Sequence, residues 1–393
     1  MTTFVSEQAN MTTTSLSLPT YVSPTRLLIR DLKLVWKLRW DLPKIILPLT
    51  PNLSGPLDEL APTWANRTEL VFHTVLVVAQ LGFLASIPLC LVLPLVTFLL
   101  YFVGFVVANY LICIYFNGSC QTEYMAAPKT PIPGVGKNEK WIFINGVSVG
   151  RHWLNGNLQR LADTFRREIF AVHNPTYGII FDLIQCLIER DLSYDTCDIR
   201  QAYTFIKREL MSEKNTKVVL ILHSQGGIEG GMVIDWLLAD VPETKMKKLE
   251  VYTFGNAANH FNNPVRRSQD DYGAEAPDYC RTISHIEHYA NEGDFVARFG
   301  VLEFAKRLCG EHESRFVGQV FQRAGTGHLL CQHYLNYMFA MKDNKVVESN
   351  PFMDSLAWVD QSNSDAKDTR RTDGAKIKDI SRLWHYRNGG SPH

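Results

Sequence analysis

KVVLILHSQGGIEGG, at residues 217–231, is the stretch that decides the fold of this chain. Its first part is an apolar, β-branched run over 218–222, which is typical of a buried strand. This run breaks at HSQGG over 223–227 and passes into a helical pattern of apolar residues from Ile228 onward. The stretch therefore predicts a strand, a sharp turn and a helix, with Ser224 at the apex of the turn.

A serine at such an apex is typical of a nucleophile elbow. The strained backbone of an elbow lifts the serine Oγ above the sheet, and small neighbours let the strand and the helix pass closely. Gly226, two residues after Ser224, fits this requirement, whereas Leu222, two residues before it, stands where the pattern wants a small residue. A phosphate-binding loop is not indicated, because no lysine follows the glycines. The alternative to a nucleophile is a structural strand-to-helix turn.

The composition limits the kinds of partner and cofactor. The chain has 393 residues, which is enough for two ordinary domains or for one large domain with appendages. Its 40 Lys+Arg residues balance its 40 Asp+Glu residues, so the charge gives no argument for a nucleic-acid partner. The 8 cysteines show no C-x-x-C spacing, so neither a zinc site nor a redox pair is predicted, and no cofactor is expected.

A long apolar segment over 71–118 contains no Asp, Glu, Lys or Arg. Because about 20 apolar residues span the hydrocarbon of a bilayer, this segment predicts a transmembrane helical hairpin that turns near Pro88 and Pro94. One long tilted pass is the alternative. Basic residues before the segment favour a cytosolic N-terminal side, and two passes would return the rest of the chain to the cytosol. We then expect a multi-pass protein of an internal membrane, such as the endoplasmic reticulum, or of lipid droplets.

Residues 1–70 divide into three parts. The first 25 residues are predicted to be a disordered lead. Residues 26–44 alternate basic and apolar side chains and include Trp36 and Trp40, which fits a helix lying on an anionic membrane surface or a helix docked on the globular part. A proline-rich linker follows.

The domain from 140 to 342 is predicted to be α/β. Strands that alternate with helices indicate a mostly parallel sheet with helices on both faces. A linker over 119–139 precedes this domain, and a polar, mostly disordered tail over 343–393 follows it, with room for one short helix over 377–384. The six predicted strands are 141–144, 169–172, 218–222, 249–254, 283–289 and 316–321.

Two further side chains follow strands at the places where partners of a nucleophilic serine belong. These partners lie at the carboxyl ends of the strands, in the chain order serine, acid, histidine. Asp294 lies in a turn just after the fifth strand, where it can orient an imidazole or cap the next helix. His328 lies on a glycine-flanked loop after the last strand and is the expected general base, with His333 in the following helix as the alternative base.

An oxyanion hole requires two backbone N–H donors aimed at the developing negative charge. Gln225, directly after Ser224, is expected to supply the first donor. The second would come from Gly146 or Val147, in the loop after the first core strand, although Gly146 could equally be a turn glycine. No metal site is predicted at His285–His288, since strand alternation separates these side chains between two faces.

Residues 140–342 resemble an α/β-hydrolase domain of the serine esterase and lipase kind. The run VYTFGNAANHF at 251–261 is similar to the strand exit that follows the elbow in fungal-type lipases. Together, HSQGGIEGG, EHYANEGDFV and GTGHLLCQHYL resemble segments of fungal membrane-associated hydrolases. The resemblance implies the α/β-hydrolase fold, a triad of Ser224, Asp294 and His328, and hydrolysis of an ester or thioester. It supplies no substrate, and Leu222 departs from the pattern.

These expectations describe a membrane-anchored serine hydrolase that acts on esters of lipids or of other acyl compounds. In such an enzyme His328 takes the proton of Ser224, the serine attacks the acyl carbonyl, and water later releases the acyl-enzyme. The alternative is a catalytically inactive hydrolase fold that serves as a membrane scaffold or a lipid-binding protein, and Leu222 is its best support. The sequence indicates no protein partner.

Overall fold

The computed structural model describes residues 3–5, 23–49, 53–118, 123–267, 279–305, 316–359 and 374–392. The strands are β1 (Thr3–Val5), β2 (Glu123–Ala126), β3 (Glu139–Ile144), β4 (Ile169–Val172), β5 (Lys217–His223), β6 (Leu249–Phe254), β7 (Val265–Arg267), β8 (Tyr279–Arg281), β9 (His285–Asn291), β10 (Gln319–Arg323), β11 (Met341–Lys342), β12 (Lys345–Val346) and β13 (Trp358–Val359).

The α-helices follow the same chain order, from α1 to α13. They are α1 (Pro24–Leu38), α2 (Trp64–Cys90), α3 (Leu95–Asn117), α4 (Arg151–Phe165), α5 (Ile179–Leu192), α6 (Cys197–Met211), α7 (Gly226–Asp240), α8 (Glu243–Met246), α9 (Phe295–Phe299), α10 (Val301–Phe304), α11 (Asn336–Met338), α12 (Ile377–Ile380) and α13 (Arg382–His385). Short 3-10 helices cover Arg39–Ile45, Gly55–Leu57 and Arg387–Gly389, and a π-helix covers Leu330–Leu335.

The centre of the fold is a 9-stranded sheet in the order β13-β1-β10-β9-β6-β5-β3-β4-β2. The run from β10 to β4 is parallel throughout, while β1 and β2 pair antiparallel at its two ends. The strands of this parallel run are those that the sequence predicts, with shifts of a few residues at their ends. The α/β class and the mostly parallel sheet are therefore confirmed.

Alternate residues of each central strand face two different hydrophobic clusters. In β5, Val219 and Ile221 belong to the cluster that also contains residues of α4 and α13. Their neighbours Leu220 and Leu222 belong to the cluster formed with α6 and α7. Helices thus cover both faces of the sheet, and the strand alternation with a period of two assigns each side chain to one layer.

Two apolar helices, α2 and α3, precede the sheet domain, and both are long and apolar enough to span a membrane. The helix α2 begins at Trp64, within the predicted linker, because the Thr63 side chain caps it by accepting a hydrogen bond from Asn66 N. Pro88 lies inside α2, so the turn between the helices falls at 91–94, after the first of the two prolines expected to mark it.

Amide side chains join the two apolar helices to the loop after β4. Gln80 Nε2 donates to Asn109 Oδ1 at 2.8 Å and to the Tyr177 carbonyl at 2.7 Å, and Asn109 Nδ2 donates to the same carbonyl at 2.9 Å. Asn117 Nδ2 donates to the Thr176 carbonyl at 2.9 Å. The helices are therefore held on the domain by directed polar contacts as well as by apolar packing.

Two segments that we expected to lack regular structure contain strands. Thr3–Val5, in the predicted lead, pairs with β10, while residues 6–22 lie outside the described residues. Glu123–Ala126, in the predicted linker over 119–139, pairs with β4. Each of these strands covers an open edge of the parallel run. The strands form through pairing with residues distant in sequence, so the pattern of their own three or four residues does not predict them.

The tail beyond 343 also differs from the prediction of disorder. Its described parts pack on the sheet domain, and Leu383, Trp384 and Tyr386 are buried in the same cluster as α4. The Arg382 guanidinium contacts the Glu250 carboxylate at 3.0 Å. The prediction of disorder rested on the overall polar composition of the tail, but a few of its apolar residues pack into the core. The helix expected over 377–384 appears as two short helices, α12 and α13, while 360–373 lie outside the described residues.

Glu229 is a fully buried acid in α7. Neither of its carboxylate oxygens has a hydrogen-bond partner among the described residues. Burial raises the pKa of Glu229 well above its ordinary value, and the neighbouring Asp198 and Glu189 carboxylates raise it further. The folded protein therefore keeps a proton on this side chain at pH values where the unfolded chain has released it.

We expect Glu229→Gln to make stability less dependent on pH. Because the folded-state pKa is raised, the stability that this group contributes is lost as the pH rises, by up to about 1.4 kcal/mol per pH unit. Thermal unfolding in detergent should show that the Tm of the variant minus the Tm of the wild type increases as the pH rises from about 5 to about 8. Glu168→Gln is the control, since Glu168 is exposed. Parallel Tm curves for Glu229→Gln and the wild type would contradict the prediction.

Candidate active site

Ser224 occupies the tight turn between β5 and α7. Its φ is 59°, in the left-handed region that side chains other than glycine rarely adopt. Backbone hydrogen bonds hold this conformation: Ser224 N donates to the Phe254 carbonyl at 3.1 Å, and the Ser224 carbonyl accepts from Gly227 N at 3.0 Å and Ala257 N at 3.1 Å. The strained turn that the sequence predicts is present, and Ser224 itself is 3% exposed.

Leu222 stands where an elbow wants a small residue, and α7 provides the missing space. A Cβ on Gly230 would lie 2.8 Å from Leu222 Cδ2 and still closer to Cδ1. The small residue at this crossing is thus supplied by the helix, while the strand carries the leucine. The helix can approach the strand closely in spite of Leu222, so this departure from the pattern does not open the turn.

Asp294 and His328 form a buried hydrogen-bonded pair. His328 Nδ1 lies 2.8 Å from Asp294 Oδ2, and Tyr334 donates its hydroxyl to the same oxygen at 2.6 Å. Asp294 Oδ1 accepts from Val296 N at 2.8 Å and so caps α9. The two roles that the sequence left open for Asp294, orienting an imidazole and capping a helix, are therefore carried by its two different oxygens.

The second ring nitrogen of His328 is free to accept a proton. With Nδ1–H directed at Asp294, the lone pair lies on Nε2, which is buried and has no hydrogen-bond partner among the described residues, the Ser224 hydroxyl included. Active-site hydrogen bonds commonly tighten only when substrate binds. The imidazole therefore has the tautomer and the vacant nitrogen that a general base needs.

Both Ser224 and the His328–Asp294 pair adjoin the exit of β6. Ser224 N is bonded to the Phe254 carbonyl, as described above, and the next residue, Gly255, has a φ of 54°. A Cβ on Gly255 would lie 2.9 Å from both Asp294 Oδ2 and His328 Nδ1. The serine turn and the acid–base pair thus lie on either side of one strand end, at one edge of the sheet.

His223 packs against His328 and was missed by sequence reasoning, although it directly precedes Ser224. Its ring stacks on the His328 ring with centroids 4.8 Å apart, and its Nε2 donates to the His328 carbonyl at 2.8 Å. Burial lowers the pKa of His223 to about 3, and the neighbouring His328 also lowers it. His223 is therefore a neutral spacer that positions the imidazole through its ring and backbone.

His333, the alternative base, has both ring nitrogens engaged. Its Nδ1 accepts from Leu329 N at 3.1 Å, and its Nε2 donates to the Pro48 carbonyl at 2.9 Å. Burial lowers the pKa of His333, which favours this neutral tautomer. The structure gives His333 a structural role in the loop that carries His328, and leaves no nitrogen for Ser224.

The expected oxyanion residues lie beside Ser224. A Cβ on Gly146 would lie 2.9 Å from Ser224 Oγ, so only glycine fits this close approach. Gln225 forms the N-cap of α7, and its side chain accepts from Asn174 Nδ2 at 2.9 Å and donates to Glu189 Oε2 at 2.8 Å. Val147 follows Gly146 and packs partly buried on the α6–α7 cluster.

A cavity of about 580 Å³ lies between α3, the loop after β4 and the segment over 194–201, which joins α5 to α6 and begins α6. The loop contributes His173 and Pro175, which flank Asn174, the partner of the Gln225 side chain. The helix α3 contributes the side chains of Tyr110 and Ile114. The cavity therefore adjoins an apolar helix and the loop that binds the Gln225 side chain.

Comparison of the chain with protein-family models, with curated proteins and with solved structures finds no match.

The contact between Leu222 and Gly230 makes a direct prediction about stability. Gly230→Ala should lower the free energy of unfolding by about 1–3 kcal/mol through overpacking, even though alanine favours a helix. Leu222→Ala should cost about 2–5 kcal/mol alone, and the double variant should cost less than the sum. Chemical denaturation in detergent measures all three. Gly156→Ala in α4 is the control, because a Cβ there would meet its nearest neighbour at 3.8 Å. Additive effects would mean that the two residues do not share this space.

Proposed function

We propose that this chain is a membrane-anchored serine hydrolase with an α/β-hydrolase fold. It would cleave carboxylic esters, of lipids or of other acyl compounds, through Ser224, His328 and Asp294. The observation that carries the proposal is the buried His328–Asp294 pair, whose open Nε2 lies at the same sheet edge as a serine in a strained turn. This arrangement of an acid, a base and a strained serine is what acyl transfer by a serine requires.

The chemistry follows from the hydrogen bonds. His328 Nε2 takes the hydroxyl proton as Ser224 Oγ attacks the acyl carbonyl, and Asp294 stabilises the imidazolium through Nδ1–H. The backbone N–H groups of Gln225 and of Gly146 or Val147 would receive the negative charge of the tetrahedral intermediate, and one such donor contributes on the order of 3 kcal/mol. The protonated imidazole then protonates the leaving alcohol, and water hydrolyses the acyl-enzyme by the same route.

The two apolar helices support a membrane location for this activity. In the proposed topology α2 and α3 cross the bilayer as a hairpin, so the sheet domain lies on the same side as the basic N-terminal residues. That side is the cytosolic face of an internal membrane, such as the endoplasmic reticulum, or the surface of a lipid droplet. Lipid esters would then reach the site by diffusion within the membrane plane.

An inactive scaffold is the competing function. Its best support in the sequence was Leu222, and the space that Gly230 provides for this leucine weakens that support. The low exposure of Ser224, at 3%, is the observation that still favours a scaffold, because a substrate must reach the hydroxyl. Chemical labelling of the serine separates the two functions.

Ser224→Ala should abolish covalent labelling by a fluorophosphonate probe. The probe reacts only with a serine that a neighbouring base activates, so wild-type protein in detergent micelles should be labelled and the variant should not. Ser193→Ala is the matched control, because Ser193 also has a left-handed φ, of 51°, but is exposed at the end of α5. Equal labelling of wild type and Ser224→Ala, or no labelling of either, would contradict the hydrolase proposal.

Tyr334→Phe should slow hydrolysis of a soluble ester and change its pH dependence. Removing the hydroxyl leaves Asp294 with one donor fewer, so the carboxylate attracts the imidazolium more strongly and the acid limb of kcat/KM should move to higher pH. Loss of a hydrogen bond to a charged group is worth about 1.5–3 kcal/mol. Tyr337→Phe is the control, since Tyr337 stacks on Arg323. An unchanged pH–rate profile in Tyr334→Phe would show that this hydroxyl does not act on the pair.

A further inference from the structure

The helix α1 docks on the sheet domain through one face, which contains Asp31, Leu34 and Leu38. Leu34 and Leu38 pack against Phe295 and Phe299. Both phenylalanines belong to α9, the helix whose N-cap is Asp294. The inner face of α1 therefore supports the helix that begins at the acid of the proposed triad.

Ionic contacts fix α1 in this position. Asp31 Oδ2 lies 2.7 Å from Arg190 Nε, and both side chains are almost fully buried. Arg190 also donates to the Phe299 carbonyl at 3.0 Å, and beyond α1 Asp41 pairs with Arg298 of α9. Removing one partner of a buried ion pair leaves an uncompensated charge, so this docking is specific in its register.

The chain after α1 continues to the loop of the proposed base. The Ile45 carbonyl accepts from His328 N at 3.0 Å, and the Pro48 carbonyl accepts from His333 Nε2 at 2.9 Å. The Glu59 carboxylate accepts from two backbone N–H groups of the π-helix, at 2.9 and 3.1 Å. We call residues 23–49 and 53–60 the N-terminal brace, because they hold both the acid helix and the base loop.

The outer face of α1 has a different character. Its apolar stripe contains Ile29, Leu32 and Trp36 and continues to Trp40 in the following 3-10 helix, at spacings of three and four residues; these side chains are 52%, 51%, 68% and 78% exposed. This apolar stripe lies on the side of the helix away from Leu34 and Leu38. Exposed lysine and arginine side chains run beside the stripe, namely Arg26, Lys33 and Lys37.

The apolar stripe is also linked to the two membrane helices. The helix α1 packs on α5, and α5 packs on α2. The helix α5 itself exposes Leu183, Ile184 and Ile188 at 43%, 39% and 37%. An apolar stripe with tryptophans and flanking cations, joined in this way to membrane helices, fits the interface of an anionic bilayer rather than water.

We propose that the outer face of α1 is a docking surface for an anionic bilayer, and that this docking keeps the N-terminal brace seated on the acid helix and the base loop. The second half of this statement rests on the proposed hydrolase function. Lipid at the membrane surface would then set the activity of the site through α1, since the same short helix contacts the bilayer outside and the acid helix inside.

Quenching of tryptophan fluorescence tests the docking surface without reference to activity. The full chain is reconstituted in phosphatidylcholine vesicles with and without phosphatidylserine, and the wild type is compared with Trp36→Phe/Trp40→Phe. The fluorescence of the wild type minus that of the variant gives the signal of Trp36 and Trp40 alone. We expect brominated acyl chains to quench this difference signal, and more strongly with phosphatidylserine. Quenching by aqueous iodide in place of brominated chains, or no dependence on phosphatidylserine, would overturn the proposal.

Labelling of Ser224 tests the connection to the site. Trp36→Glu/Trp40→Glu changes only exposed side chains and should react with a fluorophosphonate several-fold more slowly than wild type in vesicles containing phosphatidylserine. In detergent micelles the two proteins should react equally and have the same Tm, which excludes a folding defect. Equal rates in vesicles would overturn the connection between docking and the site. Failure of wild type to react in either medium would instead contradict the hydrolase function, while the quenching result still decides the docking surface.

Discussion

The close crossing of β5 and α7 is the constraint on which the rest of the site depends. Ser224 can hold its left-handed φ only because the Phe254 carbonyl, Gly227 N and Ala257 N all bind its backbone. The close approach leaves no room for side chains at Gly226, Gly227 and Gly230 of the helix, while the strand places Leu222 against Gly230. The crossing also brings the exit of β6 beside the serine, and the His328–Asp294 pair lies against Gly255 at this same exit.

The Asp294 carboxylate connects the N-terminus of α9 with the His328 imidazole. One oxygen caps α9, and the other receives the His328 imidazole and the Tyr334 hydroxyl. A carboxylate with three donors is held in one orientation, because rotating it to improve one hydrogen bond would weaken another. The position of α9 therefore affects the imidazole directly, and elements that pack on α9 acquire an influence on the site that their distance in sequence does not suggest.

Local patterns were sufficient for the centre of the molecule and insufficient for its periphery. The β-branched runs of β3, β5 and β6 are buried on both faces, so their composition alone indicates strands. Ser224, Asp294 and His328 follow β5, β9 and β10, and their order along the chain was readable once these strands were located. By contrast, β1 and β2 exist through edge pairing, and Gly230 compensates for Leu222 across a helix–strand contact. The role of His333 depends on the Pro48 carbonyl, 285 residues away in sequence. Contacts of this kind do not change the periodic pattern of apolar residues in the sequence, so the sequence alone does not reveal them.

The amide contacts between the apolar helices and the loop after β4 join the sheet domain directly to these helices. Gln80, Asn109 and Asn117 bind the backbone of the loop at Thr176 and Tyr177, and these directed hydrogen bonds set the orientation of the sheet domain on the helices. In the proposed topology the fold therefore fixes the distance from Ser224 to the lipid headgroups. In the proposed function, the site would first select esters by the depth at which they lie in the leaflet, and only then by their shape.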